Sequence, residues 1–521
     1  MMGNYIIALP IVLPLFGAGV SLACASWRRL QLIVSVAVLA LVLVVAAVLL
    51  WMARSQPVVL DIGNWAAPLG ITLVADQLSS IMLLTSVCVT FLVLLYSISQ
   101  GVSDGADAAP LAVYHPAFLI LSAGVSNAFL SGDLFNIYVG FEMLLLASFV
   151  LITLGGTRER IRSGTVYVVV SLVSSAVFLL AIVMIYAATG TVNLAQLSLR
   201  LPEVDANVRL SIQVLLLVGF GIKAAIFPLS AWLPDSYPIA PAPVTAVFAG
   251  LLTKVGVYGI IRTQTLLFPP DQPNGAAVNE VLGVFAALTM IIGILGAVAQ
   301  VDIKRLLSFT LVSHIGYMIW GISTASVTGL SSGIFYAVHH ITVQTVLFLV
   351  VGLIERRGGS TSLVKLGSLA KTAPVIAVLY LLPALNLAGV PPFSGFFGKI
   401  GLMQAAVQRG THIDGMLVAA GIISSLLTLY AVMRAWNMAF WQDAPEVLPS
   451  KPTPSGMVGA TAALLSITIG ISLLAGPIST YTAYTASDLY KRTSYVSAVL
   501  PDGLRGSGIS EKVTSGERGD N

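Results

Sequence analysis

Apolar runs of about twenty residues recur along this chain from one end to the other, and a hydrocarbon core of about 30 Å takes about 20 helical residues to cross. Fourteen runs can be drawn, at 5–25, 31–53, 77–98, 114–131, 133–154, 164–188, 210–232, 242–264, 278–300, 303–321, 329–354, 373–405, 413–440 and 457–478. Lipid offers no partner to a backbone N–H or C=O, and the runs are about twice as long as barrel strands, so they read as helices. Composition agrees. Hydrophobic residues make up 57% of the 521 and charged residues 9%, at a mean hydropathy of +0.95, whereas a soluble domain carries about 25% charged residues. The fold class is therefore an all-α polytopic membrane protein in a lipid bilayer. The first run holds Pro10 and Pro14 but no small-residue cleavage site, and reads as retained. Residues 501–521, polar and rich in Gly and Ser, read as a disordered tail.

Basic residues set an expected orientation. With fourteen spans both termini share one side. The odd-numbered loops hold thirteen Lys and Arg, from Arg28 to Lys451, and the even-numbered loops five: Arg54, Arg200, Arg209, Arg262 and Arg409. This puts the odd loops in the cytoplasm and both termini outside. The net charge of +4 then follows from topology and does not point to nucleic acid. Cys24 and Cys88 lack CxxC spacing and read as small buried hydrophobes. There is no phosphate loop, dinucleotide fingerprint, zinc pattern or nucleophile elbow, so neither a metal site, a cofactor nor an enzyme is expected.

Charges inside the runs carry the functional signal. A charged residue at the centre of a spanning helix costs about 2.5–3.5 kcal/mol and is retained mainly where it faces a hydrated path or a partner. Lys223, Lys254 and Lys399 lie in such positions, with one central carboxylate, Glu142. This pattern suggests a proton relay. Asp133, at the start of the fifth run, reads as a helix N-cap; Glu142, deeper in the same run, needs a buried cation, and Lys223 is the best candidate. His340 and Gln344 share one face of the eleventh run at i, i+4 spacing, so His340 reads as a relay group. His339 points elsewhere and reads first as a hydrogen-bonded core histidine. His314 fits either role.

Two runs should be broken. Pro228 lacks the N–H that the carbonyl of Ala224 would accept, and Pro391 and Pro392 stand two turns before Lys399. Broken helices at the midplane line ion sites in transporters, and two of them five spans apart imply inverted repeats. The expected layout is 1–112 for spans one to three, 113–265 and 277–440 for two inverted five-helix units, and 456–480 for the last span.

The stretch from Gly221-Ile222-Lys223-Ala224-Ala225-Ile226-Phe227-Pro228 to Leu233-Pro234-Asp235, the run Leu252-Thr253-Lys254-Val255-Gly256, and Gly389-Val390-Pro391-Pro392-Phe393-Ser394-Gly395 through Lys399 resemble the signatures of the antiporter-like family. That family includes the large membrane subunits of respiratory complex I and of Mrp-type multisubunit cation/proton antiporters. Within it, Gly132 to Glu142, Gly190-Thr191-Val192-Asn193-Leu194-Ala195 and Leu233 to Pro238 are most similar to the D subunits of Mrp-type Na+/H+ antiporters. The resemblance implies Glu142 and Lys223 as the carboxylate and lysine pair, Lys254 as a relay lysine, His340 as its histidine and Lys399 as the terminal lysine. Ser230 and Tyr237 stand where many complex I relatives have histidine, and Gln344 where lysine is usual. Ser230, Gln344, His314 and His339 are thus further relay candidates, and passage near Gln344 needs water or His340.

The expected function is proton translocation in a multisubunit Na+/proton antiporter, with other Mrp-type subunits as partners. One carboxylate among three lysines repels sodium, whose hard ion wants clustered oxygens by extension from calcium and magnesium sites, so the sodium path is expected in partner subunits or at interfaces. Two other readings stand beside it: a proton-pumping subunit of a complex I-like or hydrogenase complex, and a non-transporting scaffold whose charges bind helices together.

Overall fold

The computed structural model describes residues 2–101, 111–445 and 451–501. The expected tail beyond Pro501 lies outside the described residues. Thirteen helices among them are long and apolar enough to cross a membrane. In chain order, spans one to six are Asn4–Ala23, Arg28–Met52, Gln77–Gln100, Val113–Leu130, Leu134–Thr153 and Arg158–Thr189. Spans seven to eleven are Ala206–Ala224, Ala242–Leu266, Gly275–Val298, Ile303–Ser323 and Val327–Gly358, and the thirteenth and fourteenth are His412–Trp441 and Ser455–Leu473. The twelfth run forms two shorter helices, Pro374–Ala388 and Ser394–Arg409.

Polar caps start several of these helices. Asp76 accepts from the N–H of Ser79 while the Ser79 hydroxyl accepts from the N–H of Asp76, a reciprocal box that opens the third span. Asp133 accepts from the N–H of Asn136, as expected of an N-cap, and Asp302 does the same for Arg305 at the tenth span. These two caps share a further arrangement. Asp133 pairs in an isolated antiparallel bridge with Asn193, after the sixth span, and Asp302 pairs likewise with Ser362, after the eleventh. Each bridge is closed by two backbone bonds: Leu134 to Val192 and Leu194 to Gly132 in the first, Ile303 to Thr361 and Leu363 to Val301 in the second. The two sets are separated by the same interval in the sequence at every position.

Both proline breaks are present. The seventh span ends at Ala224; Ala225 turns left-handed at φ 59°, and the chain runs through Pro228 before a short helix, Trp232–Ser236. The twelfth ends at Ala388 and turns at Gly389, φ 87°, ahead of Pro391 and Pro392.

Burial is uneven. The most apolar windows of the eighth and eleventh spans are wholly buried and that of the tenth nearly so, while the first and second spans are mostly exposed. A buried axis of three helices is thus wrapped by the others. Some features escape the expectation. The loop after the second span forms a two-stranded hairpin, Val58–Asp61 against Thr72–Ala75, with Val58 opposite Ala75 and Asp61 opposite Thr72. Two more helices, Ala475–Lys491 and Thr493–Val499, follow the last span. Arg262, expected in a loop, is 2% exposed in the last turns of the eighth span. The correction has a physical reason: its charge is paired, by two bonds of 2.6 and 2.8 Å to buried Asp76.

Candidate functional site

The first end of the site lies between the fifth and seventh spans. Lys223 occupies the last turn before the break, where the free carbonyls of a helix end favour a cation. Its ammonium stands 5.7 Å from the ring centroid of Phe141, the residue before Glu142. A charge on Glu142 would be felt at Lys223, Tyr138 and Tyr167. Glu142 and Lys223 do not form a direct ion pair among the described residues, and the buried Oε1 of Glu142 has no hydrogen-bond partner in the protein. The expected partners are thus near one another without direct contact. Pro228 lies in the break, with the N–H of Phe227 held by Thr289 of the ninth span at 3.1 Å. Trp232, beyond the break, donates to the carbonyl of Ile222 at 3.2 Å, so the second piece caps the first. Ser230 is buried within this turn.

Aromatic and hydroxyl groups continue inward. Tyr167 meets the Ser148 hydroxyl at 2.7 Å and packs on Phe248, as does Tyr237. The Tyr237 hydroxyl is buried without a partner. Lys254 follows in the eighth span and is fully buried. Just before it the helix widens into a π-turn, Phe248–Leu252, and the ammonium donates to the carbonyl of Ala249 at 2.6 Å. Such bulges free backbone groups and recur at functional sites.

The far end gathers the histidines. The rings of His314 and His340 lie 5.4 Å apart, and a charge on Lys254, His339 or Lys399 would be felt at His340. His340 is fully buried, and neither of its ring nitrogens has a partner in the protein. His314 meets Tyr336 at 2.7 Å through Nδ1 and Thr428 at 3.3 Å through Nε2. His339 meets Ser394 at 2.9 Å through Nδ1, while its Nε2 has no partner. Lys399 donates to the carbonyls of Leu387 and Ala388 at 3.2 and 2.9 Å and lies 4.9 Å from the ring centroid of Tyr317. Gln344 is fully buried; its amide donates to the Leu307 carbonyl at 2.8 Å, and its oxygen has no partner.

The structure thus gathers the candidates into two groups, one of Glu142, Lys223 and Ser230, and one of Lys254, His340, His314, His339, Gln344 and Lys399. Among the described residues no ion pair joins the groups directly. Tyr167 and Tyr237 pack on Phe248, which opens the π-turn before Lys254, and the Thr253 hydroxyl beside that lysine has no partner. Sequence reasoning missed Tyr317 and Tyr336, although each sits three or four residues from a histidine on the same helix. Asn386 and Ser394, which meet across the twelfth-span break, had no local signal.

The family profile described as "NADH:quinone oxidoreductase/Mrp antiporter, TM" matches residues 131–428. The D subunit of the Na(+)/H(+) antiporter of Alkalihalophilus pseudofirmus is 36% identical over 502 residues, spanning 96% of this chain and 100% of the relative. The protein of the same name from Bacillus subtilis is 36% identical over 504 residues, again 96% and 100%. Among solved structures, a chain of the Mrp complex from Dietzia sp. DQ12-45-1b is similar at a TM-score of 0.89 and 31% identity, covering 96% of this chain and 100% of that one.

Proposed function

The chain belongs to the NADH:quinone oxidoreductase/Mrp antiporter transmembrane family, and from that premise we propose that it is the D subunit of a multisubunit Na+/proton antiporter in the bacterial plasma membrane, carrying protons through Glu142, Lys223, Lys254, His340 and Lys399. The observation that supports this reading most is the placement of charge against backbone. Lys223 ends the first piece of one broken span and Lys399 caps the first piece of the other, while Lys254 and the histidines sit on the buried eighth, tenth and eleventh spans. Matched bridges at Asp133–Asn193 and Asp302–Ser362 support two inverted units, 113–265 and 277–440, with one break in each.

In this mechanism Glu142 and Lys223 form a charge switch. Each charge stabilises the other in a medium that solvates neither, so any motion that separates them alters the proton balance of the neighbouring groups. The proton then passes by way of hydroxyls and water to Lys254, to His340 and His314, and to Lys399 beside the second break. His339, Ser230 and Gln344 line this route as secondary groups. Sodium is left to partner subunits and interfaces, since the buried path holds one carboxylate among three lysines.

The test is cation/proton exchange in everted membrane vesicles holding the assembled complex. Glu142→Ala, Lys223→Ala and Lys399→Ala are each expected to abolish exchange while the complex stays at normal abundance. Normal exchange by Lys223→Ala would sink the relay.

A further inference from the structure

The two pieces of the twelfth span cap one another. A helix end leaves its last carbonyls and first N–H groups without intrahelical partners. The last carbonyls of Pro374–Ala388, those of Leu387 and Ala388, are met by the ammonium of Lys399 from the second piece. The second piece, Ser394–Arg409, begins after Phe393, which supplies no side-chain cap. Its first N–H groups are taken by other residues: that of Gly395 donates to Asn386 Oδ1 at 2.9 Å, and that of Ser394 donates to the Ser472 hydroxyl of the fourteenth span at 2.9 Å. Asn386 is 1% exposed and belongs to the first piece, so capping runs in both directions across the break.

The Ser394 hydroxyl extends this clasp to a histidine. It donates to Asn386 Oδ1 at 3.3 Å, and its oxygen lies 2.9 Å from His339 Nδ1. A hydroxyl has one proton to give. Given to Asn386, it leaves the oxygen to accept from His339, which places the imidazole proton on Nδ1 and leaves Nε2 as a bare acceptor; Nε2 is the buried nitrogen without a partner. The fit is close. A Cβ on Gly395 would collide with the carbonyl oxygen of Asn386 and lie 3.1 Å from His339 Nε2.

We propose that Asn386, Ser394 and Ser472 are positioning residues for proton transfer, a clasp that holds the second piece of the broken span in register so that Lys399 stays on its carbonyls and His339 presents Nε2 to the relay. The inference rests on the reading of Lys399 as a relay residue. Around His339 the other titratable groups are Lys399 on the second piece, His314 and Tyr317 on the tenth span, and Tyr336 and His340 on its own helix. Ser472 is the one clasp residue outside the span, so the fourteenth span takes part in holding the break.

Everted vesicles carrying the whole complex test this, with sodium as the exchanged cation and pH varied. Asn386→Leu keeps the branching and number of heavy atoms of the side chain and removes the acceptor. Losing two bonds at a helix end is expected to lower maximal exchange roughly tenfold and to displace the pH profile, with half-saturating sodium within about twofold of wild type because the sodium site is elsewhere. Ser394→Ala and Ser472→Ala are expected to shift the profile in the same sense by less, and Ser472→Thr, which keeps the hydroxyl, to restore it. A merely structural cap would lower complex abundance and leave the specific rate and pH profile of the remaining complex unchanged. That result, in Asn386→Leu or, should it fail to assemble, in both serine variants, overturns the clasp. Lys399→Ala, measured in parallel, separates the two readings. Normal exchange there overturns the relay and the clasp together; no exchange there with wild-type profiles in the clasp variants overturns the clasp alone.

Discussion

At the scale of single residues, backbone geometry constrains the chemistry as much as charge does. Gly389 turns the chain at φ 87°, and a Cβ there would sit 2.9 Å from Lys399 Cδ and 3.1 Å from its Nζ. An L-residue in that conformation costs about 1–2 kcal/mol, and the methyl would push the ammonium from its carbonyls. Gly389→Ala is therefore expected to lower exchange about tenfold or more with the complex still assembled; wild-type exchange would mean that the lysine tolerates displacement. Much of this site could be read from the sequence. A lysine or glutamate in an apolar run stands out by its cost, so Glu142, Lys223, Lys254 and Lys399 needed no structure to find. Asn386, Ser394 and Ser472 could not be found that way, because neutral polar residues are common in spanning helices and only the fold brings these three together. His339 shows the limit well: its hydrogen bond was expected, whereas its partner across a helix break was not.

At the scale of elements, helix length was legible and lateral pairing was not. Every apolar run became helix, and prolines marked both breaks, because these depend on local backbone chemistry. The four-residue strands of the hairpin depend on pairing at a distance, and the helices after Leu473 on packing against other spans. The clearest lateral contact joins the third and eighth spans through Asp76 and Arg262, with Tyr258 3.1 Å from the guanidinium and Tyr495 under it at 5.1 Å. Burial works against the charged Asp76 carboxylate, but the Arg262 guanidinium and the Ser79 bonds outweigh it and hold Asp76 below the usual carboxylate range. A carboxyl depressed in the folded state contributes stability above its unfolded pKa of about 3.9 and loses it as pH falls through the folded value. Asp76→Asn leaves the buried guanidinium unpaired and is expected to cost about 3–5 kcal/mol. Thermal unfolding of the purified complex should show that deficit undiminished between about pH 5 and 8, closing only below about pH 4. A deficit that fades near neutral pH would contradict the assignment.

At the scale of the whole molecule, two expectations become experiments. From the basic residues in the odd loops both termini are expected outside, and moving Arg262 from loop to core leaves the bias in the same direction. Impermeant thiol labelling of cysteines introduced near either terminus of intact cells should succeed without permeabilisation. The second concerns the isolated chain: with one mid-membrane carboxylate and no clustered oxygens among three lysines, it is expected not to exchange sodium for protons in proteoliposomes until partner subunits are restored. Sodium-driven exchange by the chain alone would refute that. The paired bridges carry a mechanical consequence. Asp133–Asn193 ties the foot of the fifth span to the segment beyond the sixth, and Asp302–Ser362 ties the tenth to the segment beyond the eleventh. Each stitched pair is expected to tilt as one lever. In both cases the next span along the chain is the broken one, so the molecule holds two stiff arms, each in series with a joint. Strain delivered to an arm is expected to be taken up at its joint, and a lysine stands at each.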